Sequence, residues 1–409
     1  MKMNAYIAGV GMTNFGKHMT TTLKGLAGQA ITAAVADAGL SLSDLQCAYM
    51  ANGAGGVIQG QEMISGQVAL RELGVGKIPV INVENACATS STAFNQACAM
   101  VTGGMYDTVL VCGFEKLIHE DKMRTFAAFE GAVDIENPDG AMDTLRSLSA
   151  LAGVPVEEDR SMRSVFMDIY SLMAKGYMKE YGATREQFAA VTAKNSFHGS
   201  LNSRAQFRKV MTVEEVLAAR EIVDPLTLPM CSPIGDGAAA VIVVSERKAK
   251  EMALSNPVKV LSSALATGWD HGGEDSLGTF TAQQAYEAAS IGPDELSLVE
   301  LHDASAPSEI MAYEYLGLCG KGAGSQFLEE GHTRLGGRVP VNVSGGLLRK
   351  GHPIGATGTA QIVELTEQLR GTSGKRQVEG ARFGLAHNGG GLIGVDAAVT
   401  VVSILGREK

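Results

Sequence analysis

Two pairs of segments repeat each other along the chain, in the same order, and this limits the fold more than any other feature. Residues 236–245 (DGAAAVIVVS) resemble residues 396–403 (DAAVTVVS). Residues 81–94 (INVENACATSSTAF) parallel residues 341–361 (VNVSGGLLRKGHPIGATGTAQ). Each member of the second pair reads as a strand, a loop holding a reactive side chain, and a helix of small residues. A duplicated architecture would carry Cys87 and His352 on equivalent loops at a pseudo-twofold centre.

The rest of the chain fits two such halves with a long insertion. Apolar runs at residues 5–10, 47–51, 80–83 and 108–113 read as strands. Three- and four-residue apolar spacing at 23–38 and 64–73 reads as helix, as does the small-residue stretch from Cys87 to about Thr102. Strands alternating with helices give an α/β layered fold with a mainly parallel sheet. From Phe114 to Gly235 the character changes to Met-rich and charged, with helical patterns at 162–181, 185–196 and 213–219. Strand character returns at 236–245, Asn256-Pro257 marks a boundary, and the last strand is expected at 396–405. The expected organisation is residues 1–113 plus 236–255 as the first half, 114–235 as a loop domain, and 256–409 as the second half.

Composition narrows the function. Charged residues make up 19% of the chain, below the usual ~25%, so it can bury a large core. The 50 glycines cluster beside apolar runs, where they mark tight turns and close backbone approach. A net charge of −10 disfavours general binding to nucleic acid or anionic membranes. The six cysteines are scattered with no CxxC spacing, which fits a reducing cytosol and a cytoplasmic protein. The N-terminal MKMNAYIAGVG lacks signal-peptide character, and the uncharged stretch 85–105 is too interrupted by polar residues for a membrane span.

Five segments carry the candidate chemistry. Cys87 lies between a β-branched strand and a small-residue helix, where free N–H groups would favour a thiolate and lower its pKa. The other thiols, Cys47, Cys98, Cys112 and Cys319, read as inert. His352 sits in GHPIGATG, a rigid glycine-built setting in which an imidazole could take a thiol proton. His302-Asp303 follows the apolar strand 298–301, at the kind of strand edge where α/β folds place sites; Asp303 could cap or orient. His387-Asn388-Gly389-Gly390-Gly391 follows the strand 382–385. Its formal GxGxxG match fails as a dinucleotide motif because a strand follows it, and the glycines suit an oxyanion instead. Finally, residues 187–213 hold no acidic residue but do hold Lys194, Arg204, Arg208 and Lys209. That patch could hold the phosphates of a carrier such as coenzyme A, with Phe188, Phe197 and Phe207 nearby. No Walker A or HExxH motif is present, and no metal site is expected.

These segments, in this order, resemble the thiolase family over nearly the whole chain, from IAGVGMTNFGK through ENACATSS, DGAAAV, HDASAPSE and GHPIGATG to HNGGG. His-Asp and His-Asn at the third and last places look like the sterol-carrier-protein-type and archaeal-type branch. The resemblance implies a five-layered αβαβα fold of two duplicated halves with a helical loop domain over the coenzyme A site. It implies Cys87 as the acyl-accepting nucleophile, His352 as its activator, His302 in a first oxyanion hole, and Gly389 with the Cys87 N–H in a second. Ser232 is similar to a pantetheine-contacting serine. The family's second cysteine is missing: His387 and Ala304 stand in its two places, so His387 or His302 would serve as the acid/base. The implied activity is 3-oxoacyl-CoA thiolysis or the reverse Claisen condensation, with coenzyme A as co-substrate and no permanently bound cofactor. A different acyl acceptor, an aldolase-type cleavage, or a coenzyme-A-binding scaffold are the alternatives. A homodimer or homotetramer is expected, and a small OB-fold or zinc-ribbon partner protein is open.

Overall fold

The computed structural model describes residues 1–156, 163–269 and 276–407. The first half of the chain supplies β1 (Lys2–Met12), α1 (Leu23–Asp37), β2 (Cys47–Ala51), α2 (Ser65–Glu72), β3 (Val80–Val83), α3 (Thr89–Thr102) and β4 (Thr108–Lys116). Four longer helices follow in the insertion: α4 (Lys122–Glu130), α5 (Pro138–Ala152), α6 (Val165–Tyr181) and α7 (Arg185–Ser200). Then come β5 (Asp236–Ser245), β6 (Val258–Thr267), α8 (Leu277–Ala289), β7 (Leu298–Glu300), α9 (Ala306–Tyr315), α10 (Thr357–Arg370), β8 (Phe383–Gly390) and β9 (Val399–Arg407).

The duplication is visible in the strand order. Among the described residues one sheet runs β3-β2-β4-β5-β1-β6-β9-β8-β7. Read from each outer edge inwards, both halves follow one plan. The edge position of β3 is taken in the second half by a parallel bridge between Val299 and Val341. β2 and β7 come next, then β4 and β8, then β5 and β9, then β1 and β6. The repeated segments DGAAAVIVVS and DAAVTVVS thus occupy matching strands. The halves join where β1 meets β6 antiparallel, with Ala5 opposite Val260 and Ile7 opposite Val258. β1 is buried almost throughout, as expected of a strand covered on both faces.

Helices form three layers around this sheet. On the outside of the first half α1 packs on β1, β4 and β5, and α2 packs on α1; on the outside of the second half α8 packs on β6 and β9. Between the halves lie α3 and α10, which touch each other and strands of both halves. Ten of the residues of α3 are buried, and in α10 only Glu367 and Arg370 escape full burial. That demands small side chains: a Cβ on Gly358 would come within 2.1 Å of Ser91 Oγ and 2.5 Å of its backbone N. The Thr359 N–H donates to Ser90 Oγ at 3.1 Å, so the helices are also stitched by a polar contact. In the insertion, α6 and α7 pack against α9 of the second half.

The sheet is mixed and not mainly parallel: among the described residues β5, β1, β6 and β9 pair antiparallel with every neighbour, and only β3-β2-β4 and β8-β7 pair parallel. Three boundaries also differ from the sequence reading. β4 continues to Lys116, because Glu115 is buried by hydrogen bonds and need not leave the strand. β8 runs through the glycines to Gly390, held by pairing to β9 (Gly389 opposite Thr400), so His387-Asn388-Gly389-Gly390 is strand and not loop. β9 begins at Val399, since Asp396 sits in a turn bridged to Ile393 and accepts the Leu277 N–H at 2.9 Å. The insertion also holds α4 and α5, which the sequence pattern did not single out.

Gly358→Ala should destabilise the protein by about 1–3 kcal/mol through overpacking of the α3–α10 contact. Gly176→Ala, in α6 where a methyl group meets nothing within 4 Å, should instead stabilise by roughly 0.5–1 kcal/mol. Urea unfolding of the two variants beside the parent measures both signs.

Candidate active site

Each half ends its central-helix loop at the same place. Cys87 lies in a 3-10 turn (Ala86–Ala88) leading into α3, and His352 precedes the 3-10 turn Ile354–Ala356 leading into α10. Because α3 and α10 touch, the loops face each other. The ligating atoms of Cys87, His302 and His352 all lie within 4.8 Å of one another. The His302 and His352 rings meet edge to face with centroids 5.2 Å apart. These groups open on a cleft of about 730 Å³. His387, Gly389 and Ser232 also line it, so the five proposed catalytic residues and the proposed pantetheine contact converge.

The basic patch and its phenylalanines do not line it. Arg204 is held by Glu367, with Nη1 at 2.9 Å and Nη2 at 2.5 Å. Arg208 and Lys209 are exposed, and Lys209 pairs with Glu215 at 3.0 Å. Lys194 is buried against Glu309 at 2.8 Å. Phe188 belongs to the core, whereas Phe197 and Phe207 are exposed. Met162, the first residue of the helical pattern at 162–181, lies outside the described residues.

The nucleophile turn is tightly built. Ala86 adopts a left-handed conformation with φ 47°, an uncommon state for a residue with a side chain. Its N–H donates to Glu84 Oε1 at 2.6 Å, and the Thr89 hydroxyl donates to Ala86 O at 2.6 Å. Gly390 of β8 presses on this turn: a Cβ there would lie 3.1 Å from the Cys87 N and 2.6 Å from Asn85 O. Glu115, which the sequence reading passed over, ties the two halves of the site. Its carboxylate accepts the N–H groups of Gly53 at 3.0 Å and of Gly355 at 3.1 Å, and the Asn52 amide at 3.0 Å. Burial lifts its pKa to about 7 against those hydrogen bonds. A glutamate directly after the apolar run 108–114 was the available signal.

Protonation follows from burial. The Cys87 thiol is pushed up to about 12 by burial and by the Glu115 and Glu84 carboxylates. This corrects the expectation of a lowered pKa: the desolvated sulfur and two nearby acids outweigh the donors at the start of α3. Burial holds His352 well below its ordinary value, helped by repulsion from His302 and Lys350. It likewise lowers His302 to about 4 and His387 to about 3. The resting site is therefore a neutral thiol among neutral imidazoles.

Hydrogen bonds then choose the tautomers. The Thr357 hydroxyl has one proton and donates it to Pro353 O at 3.1 Å. It must therefore accept from His352 Nδ1, 2.8 Å away, which leaves the Nε2 lone pair free as a base. His387 Nδ1 accepts the His302 N–H at 3.5 Å, which leaves an Nε2–H to donate. Asp303 neither caps α9 nor touches the imidazoles; it accepts the Leu347 N–H at 2.7 Å and the Asn195 amide at 2.9 Å. The far wall of the cleft comes from the insertion, with Phe126 and Phe129 of α4 and Phe166, Met167, Tyr170 and Met173 of α6.

Fold and site together define a duplicated α/β protein with a cysteine–histidine centre between its halves. The chain belongs to the thiolase family: the thiolase N-terminal domain matches residues 5–247 and the thiolase C-terminal domain-like model matches 278–407. An acetyl-CoA acetyltransferase of Methanothermobacter thermautotrophicus is 38% identical over 403 residues, covering 97% of this chain and 98% of that one. The benzoylsuccinyl-CoA thiolase subunit BbsB of Thauera aromatica is 36% identical over 402 residues, covering 96% of each. Among solved structures, an Ltp2-ChsH2(DUF35) aldolase is similar with a TM-score of 0.78 and 26% identity, over 99% of this chain and 98% of that one.

With the thiol pKa near 12, the thiolate fraction grows with every pH step below that value. Alkylation of Cys87 by iodoacetamide should therefore rise about tenfold per pH unit from pH 6 to 10 with no plateau. Peptide mass spectrometry reads the rate, and a plateau near neutrality would mean a thiolate–imidazolium pair instead.

Proposed function

We propose that this thiolase-family chain cleaves 3-oxoacyl-CoA with coenzyme A, or runs the reverse Claisen condensation, through an acyl thioester on Cys87. The observation that carries this is the convergence of the Cys87 sulfur with His302 and His352 within 4.8 Å at the floor of the cleft.

The steps balance without any other reagent. Cys87 Sγ attacks the 3-keto carbon while its proton passes to His352 Nε2. The oxygen that takes the charge receives hydrogen bonds from the Cys87 and Gly389 N–H groups. Collapse of that adduct restores the carbonyl and breaks the bond between C2 and C3. The electron pair moves onto the departing thioester enolate, whose oxygen is steadied by His302. Burial keeps His302 and His387 neutral near pH 7. They are hydrogen-bond donors in this scheme, and the proton that C2 needs is the one His352 took from sulfur. The shortened acyl group stays on Cys87 until the coenzyme A thiol attacks it, with His352 again as base. Ser232 meets the pantetheine arm, and the exposed Arg208 and Lys209 are left for the phosphate end.

A second reading is favoured by the 26% identity to an aldolase. Such a lyase would cleave a carbon–carbon bond with no acyl-enzyme. The same solved structure pairs Ltp2 with a DUF35 protein, and BbsB is a subunit, which supports a partner subunit here too. No helix among the described residues is long and apolar enough to cross a membrane; a cytoplasmic homo-oligomer is our assignment.

Incubation with a 3-oxoacyl-CoA panel, without free coenzyme A, should leave a mass adduct on Cys87 and release acetyl-CoA. Cys87→Ala should lower thiolysis by about 10⁴-fold or more. His387→Ala should lower kcat by about 10²–10³-fold, the cost of removing one transition-state hydrogen-bond donor. Cleavage that survives Cys87→Ala without any adduct would establish the lyase instead.

A further inference from the structure

The chain has no spaced metal motif, yet three loops distant in sequence bring one thiol and two imidazoles together. Among the described residues this is the one group of three or more such side chains close enough to share an ion. We propose that Cys87, His302 and His352 form a binding site for a thiophilic four-coordinate cation of the zinc class, which reversibly silences the nucleophile.

The geometry supports this. Zinc takes sulfur at about 2.3 Å and imidazole nitrogen at about 2.0 Å, so tetrahedral ligand atoms stand roughly 3.3–3.6 Å apart. The three atoms lie within 4.8 Å of one another, so side-chain rotations of about 1 Å close the site. His352 is already aimed: Thr357 holds its Nδ1 at 2.8 Å, the outer hydrogen bond that orients a metal-bound histidine. His302 Nδ1 is buried with no hydrogen-bond partner, so no contact commits that ring to either tautomer. All three side chains line the cleft, which leaves a fourth position for water or an incoming thiol. Glu84 lines the same cleft and accepts the N–H of Ala86, the residue before Cys87, at 2.6 Å, and its carboxylate favours a cation there.

Binding converts the Cys87 thiol to a thiolate. One proton leaves for solvent and the sulfur lone pair enters the metal bond, with no redox step. The bound cation occupies both the lone pair that attacks substrate and the imidazole that takes its proton. Metal binding and acylation of Cys87 are therefore mutually exclusive.

Tag-free, metal-stripped protein titrated with cobalt(II) should develop a sulfur-to-cobalt charge-transfer band with four-coordinate visible bands, saturating at one ion per chain. Cys319→Ser, which removes a half-buried thiol outside the cleft, should leave the titration unchanged. Thr357→Val should weaken cobalt binding by about 10–100-fold, and His302→Gln by more than that. Zinc at one equivalent should block iodoacetamide alkylation of Cys87, and EDTA should restore it. Circular dichroism of each variant, with Cys87→Ser beside Cys87→Ala, separates lost ligands from lost fold. Persistence of the charge-transfer band in folded Cys87→Ala, parent affinity in His302→Gln, or alkylation unaffected by zinc overturns the site. None of these readouts needs turnover, so the site and the acyl-transfer reading stand or fall separately.

Discussion

The approach of α10 to α3 decides where chemistry can occur. Both helices are buried between the two halves of the sheet, and each is preceded by the loop that carries a reactive side chain. Gly358 lets the Ser91 backbone come so near that a single methyl group would collide with it. Without that contact, the cysteine of one half and the histidine of the other would sit on unrelated loops. Duplication supplies the two loops, and helix packing brings them together.

The loops are then fixed by buried charges and not by apolar packing alone. Glu300 and Lys350 pair at 3.3 Å with both side chains about 1% exposed, and Ser344 donates both its N–H and its hydroxyl to Glu300. Asp303 holds the turn at Leu347, and Glu115 joins the Gly355 loop to Gly53. A buried ion pair adds little net stability, because desolvation offsets its attraction. Its effect here is geometric: the segment from Ser344 to Lys350 has hydrogen-bond partners at one register only, and His352 follows two residues later.

Much of this was legible because it depends on local pattern. The strands at Cys47–Ala51, Val80–Val83 and Asp236–Ser245 have the expected bounds, since continuous apolar runs between turn residues leave few alternatives. Cys87, His302, His352, His387, Gly389 and Ser232 were recognisable from their motifs and do share one cleft. What stayed hidden depends on tertiary neighbours. From its place before a helix the Cys87 thiol is expected to be acidic, but burial, helped by the Glu115 carboxylate 28 residues away, reverses the sign. The glycines after His387 look like a loop in their own sequence, where the pairing to β9 across the sheet cannot be seen. Basic residues at 204–209 are a compositional patch, yet Arg204 is committed to Glu367, 163 residues on.

The cleft has two walls of different origin, and this separates reaction from substrate choice. Cys87, His302, His352 and His387 stand on the duplicated halves, whose loops are locked by the buried network. The facing wall belongs to α4 and α6, on the insertion. It is mostly aromatic and methionine side chains, and methionine in particular adapts its shape at low cost. α6 packs against α5 and α9 and not on the central sheet. Changes at Phe126, Phe166, Met167 or Met173 can therefore reshape the space left for an acyl group while α3 and α10 keep the sulfur and the imidazoles in register. Substitutions on those central helices have no such freedom, because each one moves both loops at once.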